Sequence, residues 1–133
     1  MDEARLQAVP LFAGLSKKER KRIAQLADEV DLPAGKDLTK EGAFSYEFFA
    51  LEQGTVEVRS GDRHVADLGP GDFFGEMGVL GDGVRTADVV TTSPITAIVL
   101  TGRDLRALVR EIPSIGSRIE QEMAARRAAM SPA

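Results

Sequence analysis

Apolar positions change period twice along this chain. Ser16-Lys17-Lys18-Glu19 has the form of a capping box, in which the serine hydroxyl and the glutamate carboxylate each take a free backbone N–H. It predicts a helix running to about Val30, with Ile23, Leu26, Ala27 and Val30 as its apolar face. From Leu32 to Leu100 turn signals recur at short intervals: Pro33-Ala34-Gly35, Gly61-Asp62, Gly69-Pro70-Gly71, Gly81-Asp82-Gly83 and Ser93-Pro94. Alternating or apolar runs lie between them, as at Val56/Val58 and Ile98/Leu100, and many short strands at this spacing predict a sandwich or barrel. After Gly102 the helical period returns through Leu105, Leu108 and Val109, and a second helix opens near Pro113, a favourable residue for a first turn. Ile112, Ile115, Ile119 and Met123 make a stripe along it. The expected organisation is one domain over 1–133: N-terminal helices within 3–30, a β region over 31–101 and two helices within 102–130. There is no internal repeat and no low-complexity linker.

A chain of 133 residues suits a single domain with a real core. Its net charge of -4 disfavours a broad nucleic-acid footprint. With no cysteine there is no disulfide framework, thiolate metal site or iron–sulfur cluster. No apolar run approaches a membrane span, and Met1-Asp2-Glu3-Ala4-Arg5 does not open a signal peptide, so a soluble cytoplasmic protein is the expectation. His64 is the only histidine and is expected on an exposed hairpin strand. One histidine cannot supply the several that a jelly-roll metalloenzyme of the cupin kind needs, and no Ser/His or Cys/His pair offers other chemistry. No enzyme is expected. Lys17, Lys18, Arg20, Lys21 and Arg22 lack interleaved aromatics and read as the solvated face of a helix. Phe48, Phe49, Phe73 and Phe74 read as core. Asp28, Glu29 and Asp31 could bind a cation, but solvation at a strand entry explains them equally well.

The densest chemical signal is Phe73 to Val90, FFGEMGVLGDGVRTADVV. Gly69, Gly71, Gly75, Gly78, Gly81 and Gly83 fall in or just ahead of it, and glycine lets backbone approach a ligand without a Cβ in the way. A short helical turn from Glu76 to Leu80 would present the free amides of Gly75, Glu76, Met77 and Gly78 to an anion. Arg85 can add a planar, paired-donor contact to phosphate oxygens. Glu76 would repel phosphate, so its carboxylate is better used accepting a hydrogen bond from a sugar hydroxyl. One acid for sugar and one base for phosphate describe a nucleotide.

Phe74-Gly75-Glu76, Met77-Gly78-Val79-Leu80, Gly81-Asp82-Gly83-Val84 and Arg85-Thr86-Ala87 together resemble the phosphate-binding cassette of the cyclic nucleotide-binding domain family. Leu68-Gly69-Pro70-Gly71-Asp72 is similar to the turn before that cassette, and Gly54-Thr55-Val56-Glu57-Val58 to the family's glycine-led fourth strand. The likeness spans roughly Val9 to Met123. It implies an α+β, mainly β fold: an eight-stranded jelly roll (double-stranded β-helix) flanked by N-terminal helices and two C-terminal helices. It implies cAMP, with cGMP as the alternative, bound through Gly75, Glu76, Met77, Gly78, Arg85 and Thr86, with Ile119 and Met123 as candidates to cap the base. It implies a sensor that signals through its C-terminal helix to an effector protein, of the type found in protein kinase A regulatory subunits and bacterial catabolite activators. No cofactor or metal is implied beyond the ligand.

Departures from the family pattern qualify the site. Val84 stands where proline is frequent, and Gly78 where alanine is common; both loosen the cassette. Thr86 resembles the residue associated with guanine recognition. The C-terminal apolar heptad stops at Glu122 and Arg126, so a coiled-coil seam is not expected, and the state is a monomer or weak dimer. The sequence ends where a helix-turn-helix would begin, so nucleic acid is not an expected partner of this chain alone, and without an apolar run of spanning length neither is the membrane. The competing expectation is a degenerate domain of the same fold that binds no nucleotide and serves as a protein-interaction module.

Overall fold

The computed structural model describes residues 1–39, 47–75 and 88–130. A short 3-10 helix (Glu3–Ala8) leads into α1 (Pro10–Ala13) and α2 (Lys17–Leu26). Strands β1 (Asp28–Leu32), β2 (Asp37–Thr39), β3 (Glu47–Gln53), β4 (Val56–Ser60), β5 (Arg63–Leu68), β6 (Phe73–Phe74), β7 (Asp88–Thr91) and β8 (Ile95–Thr101) follow. Helices α3 (Gly102–Glu111) and α4 (Pro113–Met130) close the chain. The strands form two four-stranded antiparallel sheets, ordered β1-β8-β3-β6 and β2-β7-β4-β5. Consecutive strands therefore alternate between sheets for much of the chain, which is the jelly roll the resemblance implies.

Two cores share the first sheet as a common wall. Phe49, Leu51, Phe74, Ile95, Ala97 and Val99 point from it into the sandwich, meeting Val56 and Val89 of the second sheet. Phe48, Ala50, Phe73, Ile98 and Leu100 point outward under the helices, where Leu6, Val9, Phe12, Ile23, Leu105, Leu108, Ile115 and Ile119 cover them. A strand buried on both faces loses its polar alternation, which is why β3 reads as the near-continuous apolar run Phe48-Phe49-Ala50-Leu51. The ring pairs repeat the division, with Phe48 on Phe73 at 5.6 Å in one core and Phe49 stacked on Phe74 at 4.9 Å in the other. All four phenylalanines are core, as expected.

The first helix is shorter than its apolar periodicity predicts. The capping box at Ser16 and Glu19 forms, with both reciprocal hydrogen bonds. The helix nonetheless ends at Leu26, and Ala27 is extended at φ -82°, ψ 144°. Asp28 to Leu32 then pairs with β8 over its whole length, from Asp28 opposite Val99 to Leu32 opposite Ile95. Val30 and Leu32 are two apart and turn together toward the sandwich core. That strand period wins over the helical spacing of Ile23, Ala27 and Val30.

Arg20 also departs from the expected solvated face. It is 8% exposed, pairs with Glu3 through Nε at 3.0 Å and donates to the Leu15 carbonyl. Lys17, Lys18, Lys21 and Arg22 are exposed.

The two ends of the chain are fastened to each other through Arg118 of α4. Its Nη1 donates to the carbonyls of Pro10 at 2.7 Å and Leu11 at 3.2 Å, and its guanidinium lies against Gly14 where a Cβ would stand. Charge-assisted bonds of this kind to orphaned carbonyls of a one-turn helix hold α1 against α4. Arg118→Ala should lower stability by about 1–2 kcal/mol, the low end for hydrogen bonds to a charged group because the site is half-exposed. Urea denaturation checks this, and Arg118→Lys should recover only part of the loss.

Candidate functional site

The approach to the proposed cassette is built from glycine turns locked to β3. Gly69 N–H donates to the Asp72 carboxylate at 2.9 Å, and Asp72 N–H returns to the Gly69 carbonyl at 3.0 Å. Gly71 N–H donates to Leu51 O at 2.9 Å, and Leu51 N–H to Asp72 O at 2.8 Å, so the turn is stitched to the central strand from both sides. Gly71 has φ +92°, and a Cβ there would stand 3.2 Å from the Pro10 ring of α1. This turn therefore carries both a left-handed backbone and the helix contact.

β6 then runs two residues, and Gly75 leaves it at φ +92°. A residue with a Cβ is strained in that region, so Gly75 is what lets the chain turn sharply out of the sheet. β6 is the edge strand of the first sheet, whereas β7 lies inside the second, between β2 and β4. The segment 76–87 therefore joins the two sheets, and it returns at Asp88 opposite Arg59 of β4. Glu76, Met77, Gly78, Arg85 and Thr86 lie outside the described residues. Of the ligand-binding candidates, Gly75 alone is described.

Beside β7, where the described chain resumes, the inner face of the second sheet is apolar. Cross-strand partners share a face, so Val58 lies beside Ala66 and Val89, and Val56 beside Leu68 and Thr91. Val56 and Val89 are buried, whereas Val58, Ala66 and Leu68 keep part of their surface open. Leu32 of β1 and Leu38 of β2 are likewise partly buried against the same core. Sequence reading did not single out Val58, Ala66 or Leu68 as site residues; alternation marks them as inward-facing, but only strand register places them together.

The candidates for capping the base lie elsewhere. Ile119 is fully buried with Leu105, Leu108, Ile112 and Ile115, on the far side of the first sheet from the sandwich interior. Capping by Ile119 would require α4 to leave that packing. The Met123 side chain lies outside what is described.

Several charged groups of the roll and its flanking helices are paired. His64 lies exposed in the β4–β5 hairpin with its Nδ1 2.5 Å from Glu57, which also accepts from Arg59. Those bonds, His64 first and Arg59 second, hold the Glu57 carboxyl below the usual carboxylate range. Glu29 is lowered in the same way by Arg5, and Glu111 by Arg22. In the acidic trio, Glu29 thus pairs with Arg5, and Asp31 accepts from the Thr96 hydroxyl at 2.7 Å. Among the described residues no group of three or more His, Cys, Asp or Glu is placed to hold a metal ion.

A jelly roll whose edge strand leaves through a positive-φ glycine into an F-G-E…R-T-A segment matches a known pattern, and the sequence profile of the cyclic nucleotide-binding domain covers residues 29–111. The chain belongs to the cyclic nucleotide-binding domain family. It is 37% identical over 123 residues to a cAMP-dependent protein kinase regulatory subunit of Aspergillus fumigatus, covering 90% of this chain and 30% of that protein. The chain thus spans about a third of the length of such relatives. Among solved structures, a Geobacter metallireducens protein assigned to cyclic nucleotide binding superposes with TM-score 0.82 at 25% identity, covering 98% of both chains. The Thermus thermophilus catabolite activator protein superposes with TM-score 0.78 at 29% identity, covering 90% of this domain and 58% of that chain. Among the described residues no helix of this cyclic nucleotide-binding domain is long and apolar enough to cross a membrane.

Proposed function

We infer that this domain is a cAMP-binding regulatory module rather than an enzyme, with Gly75, Glu76, Met77, Gly78, Arg85 and Thr86 as its ligand residues. The observation that carries the reading is the cassette sequence itself, strung between the edge of one sheet and the middle of the other. Gly75 at φ +92° opens that segment as a close backbone approach to phosphate requires. Arg85 pairs with the phosphate, Glu76 with the ribose hydroxyl, and the open apolar surface of Val58, Ala66 and Leu68 receives the base. Preference for cAMP over cGMP is supported by the likeness to a cAMP-dependent kinase regulator; Thr86 is the feature that favours guanine. The ligand needs no cofactor. The partner that reads the bound state is an effector protein, and α4, whose Ile115 and Ile119 pack in the core under the first sheet, is the element that reports to it. A cytoplasmic monomer or weak dimer is the setting this implies.

Calorimetric titration with cAMP, cGMP and 2′-deoxy-cAMP tests the reading. The parent should bind cAMP more tightly than cGMP. Glu76→Gln should weaken cAMP binding by about tenfold, the loss of one charge-assisted hydrogen bond, and change 2′-deoxy-cAMP little. Equal losses on both ligands would make Glu76 structural. The loosened cassette at Gly78 and Val84 favours the second reading, a domain that binds no nucleotide and serves protein interaction. No heat and no thermal stabilisation at millimolar cAMP or cGMP would establish that one instead.

A further inference from the structure

The charge of this chain is divided between its layers. Residues 28–101, the roll, hold five Lys and Arg against fourteen Asp and Glu, whereas the flanking segments 1–27 and 102–133 hold twelve against seven. An acidic roll thus carries a basic helical cap.

The excess concentrates on α2 in a way its own helix opposes. Lys17 and Lys18 occupy the first turn, where the macrodipole is already positive, and no basic residue stands in the last turn, where a cation would be favourable. Lys17 and Lys21 are like charges one helical turn apart, as are Lys18 and Arg22, and such pairs destabilise a helix. Neighbours relieve only part of this. Arg20 turns inward to Glu3, and Arg22 reaches Glu111 of α3 at 3.0 Å. Lys17, Lys18 and Lys21 are exposed and, among the described residues, have no ion pair or hydrogen bond. With Arg22 and Gln25 they line a shallow groove along one solvent-open face of α2. Local rules broken together with only partial compensation point to a functional surface.

We propose that this groove docks a short acidic segment of a partner protein. From Lys17 to Gln25 it runs about 12 Å, at 1.5 Å per helical residue, which matches about four residues of extended chain. Carboxylates at that spacing would neutralise the three unpaired ammonium groups and relieve the repulsion along α2. A nucleic acid fits less well, because no aromatic side chain lines the groove for a base to stack on. An extended anionic surface would also meet the repulsion of the acidic roll. The site shares no residue with the nucleotide cassette and does not rest on nucleotide binding.

The test is fluorescence anisotropy of a labelled hexaglutamate peptide at low salt, with the parent, Lys17→Gln/Lys21→Gln, and the charge-matched control Lys36→Gln/Arg63→Gln on the roll. The parent should bind, more weakly as salt rises, and the groove variant should lose about fivefold to tenfold in affinity, two ion pairs' worth. The control should stay within about twofold of the parent. The groove variant should melt at or above the parent temperature, since it removes a like-charge pair; a clear fall in melting temperature would make the lysines structural and overturn the proposal. So would no peptide binding at low salt, or equal loss in both variants. Tighter, groove-dependent binding to phosphatidylserine vesicles or to a single-stranded oligonucleotide would also overturn it, in favour of that partner.

Discussion

Arg85→Ala should weaken cAMP binding on the order of a hundredfold or more while leaving the melting temperature of the free protein nearly unchanged. A hydrogen bond to a charged group contributes about 1.5–3 kcal/mol, and a guanidinium fork meets phosphate with two of them. Every ~1.4 kcal/mol is a factor of ten in affinity, so loss of both bonds exceeds a hundredfold. Arg85→Lys keeps the charge without the fork and should recover only part of the loss. Stability should be spared because the described ends of the segment are held by other means: Phe74 by its pairing and stacking with Phe49, and β7 by its two neighbouring strands. Calorimetric titration of the three proteins, beside a thermal melt of each, separates the outcomes. Unchanged affinity in Arg85→Ala would mean that the phosphate, if bound, sits elsewhere. A large fall in melting temperature would mean that Arg85 holds the fold.

What was legible in the sequence follows from which forces are local. The capping box at Ser16 and Glu19, the turns at Gly61 and Gly71, and the helix starting at Pro113 depend on a few adjacent residues, and each is found in place. The strand period of β1 is not local in that sense. Ile23, Ala27 and Val30 satisfy a helical face as well as they could, and only the availability of β8 as a partner over Asp28–Leu32 decides for strand. Arg20 was illegible for a related reason: nothing in Lys17-Lys18-Glu19-Arg20 shows that Glu3, seventeen residues earlier, comes within 3.0 Å of its Nε. The candidate site was read from residue types in order, glycine and arginine suiting phosphate and glutamate a sugar hydroxyl, and of these residues the structure describes Gly75 alone. Its apolar side was not, since Val58 and Ala66 become neighbours only through the register of β4 on β5. The contact of Gly71 with Pro10 is likewise a product of tertiary packing between segments far apart in the chain.

Gly54→Ala should cost about 2–5 kcal/mol, combining the left-handed backbone of an L-residue at ~1–2 kcal/mol with overpacking at ~1–3 kcal/mol. Gly54 has φ +88°, and a Cβ on it would overlap the Pro94 carbonyl oxygen and stand 2.7 Å from Ile95 Cγ2 and 2.9 Å from Ile95 Cα. Two of those three atoms are backbone, which cannot swing away as a side-chain tip can. The position matters because two sheet-crossing corners meet there. Gly54 lies where the chain passes from β3 of the first sheet to β4 of the second, and Thr92-Ser93-Pro94 where it passes back from β7 to β8. Thr55 N–H donates to Ser93 Oγ at 3.0 Å, Thr92 N–H to Thr55 O at 3.0 Å, and the Thr55 and Thr92 hydroxyls share a bond at 2.7 Å. A methyl group inserted at Gly54 pushes these corners apart and strains the register of β3 on β8 as well. Gly61→Ala supplies the control: Gly61 is also left-handed, at φ +62°, but nothing lies within 4 Å of its missing Cβ, so only the ~1–2 kcal/mol backbone cost applies. In urea denaturation Gly54→Ala should therefore fall clearly below Gly61→Ala. Equal losses would mean that the corner relaxes around the methyl group, and that the packing of Gly54 on Pro94 does not fix how the two sheets meet.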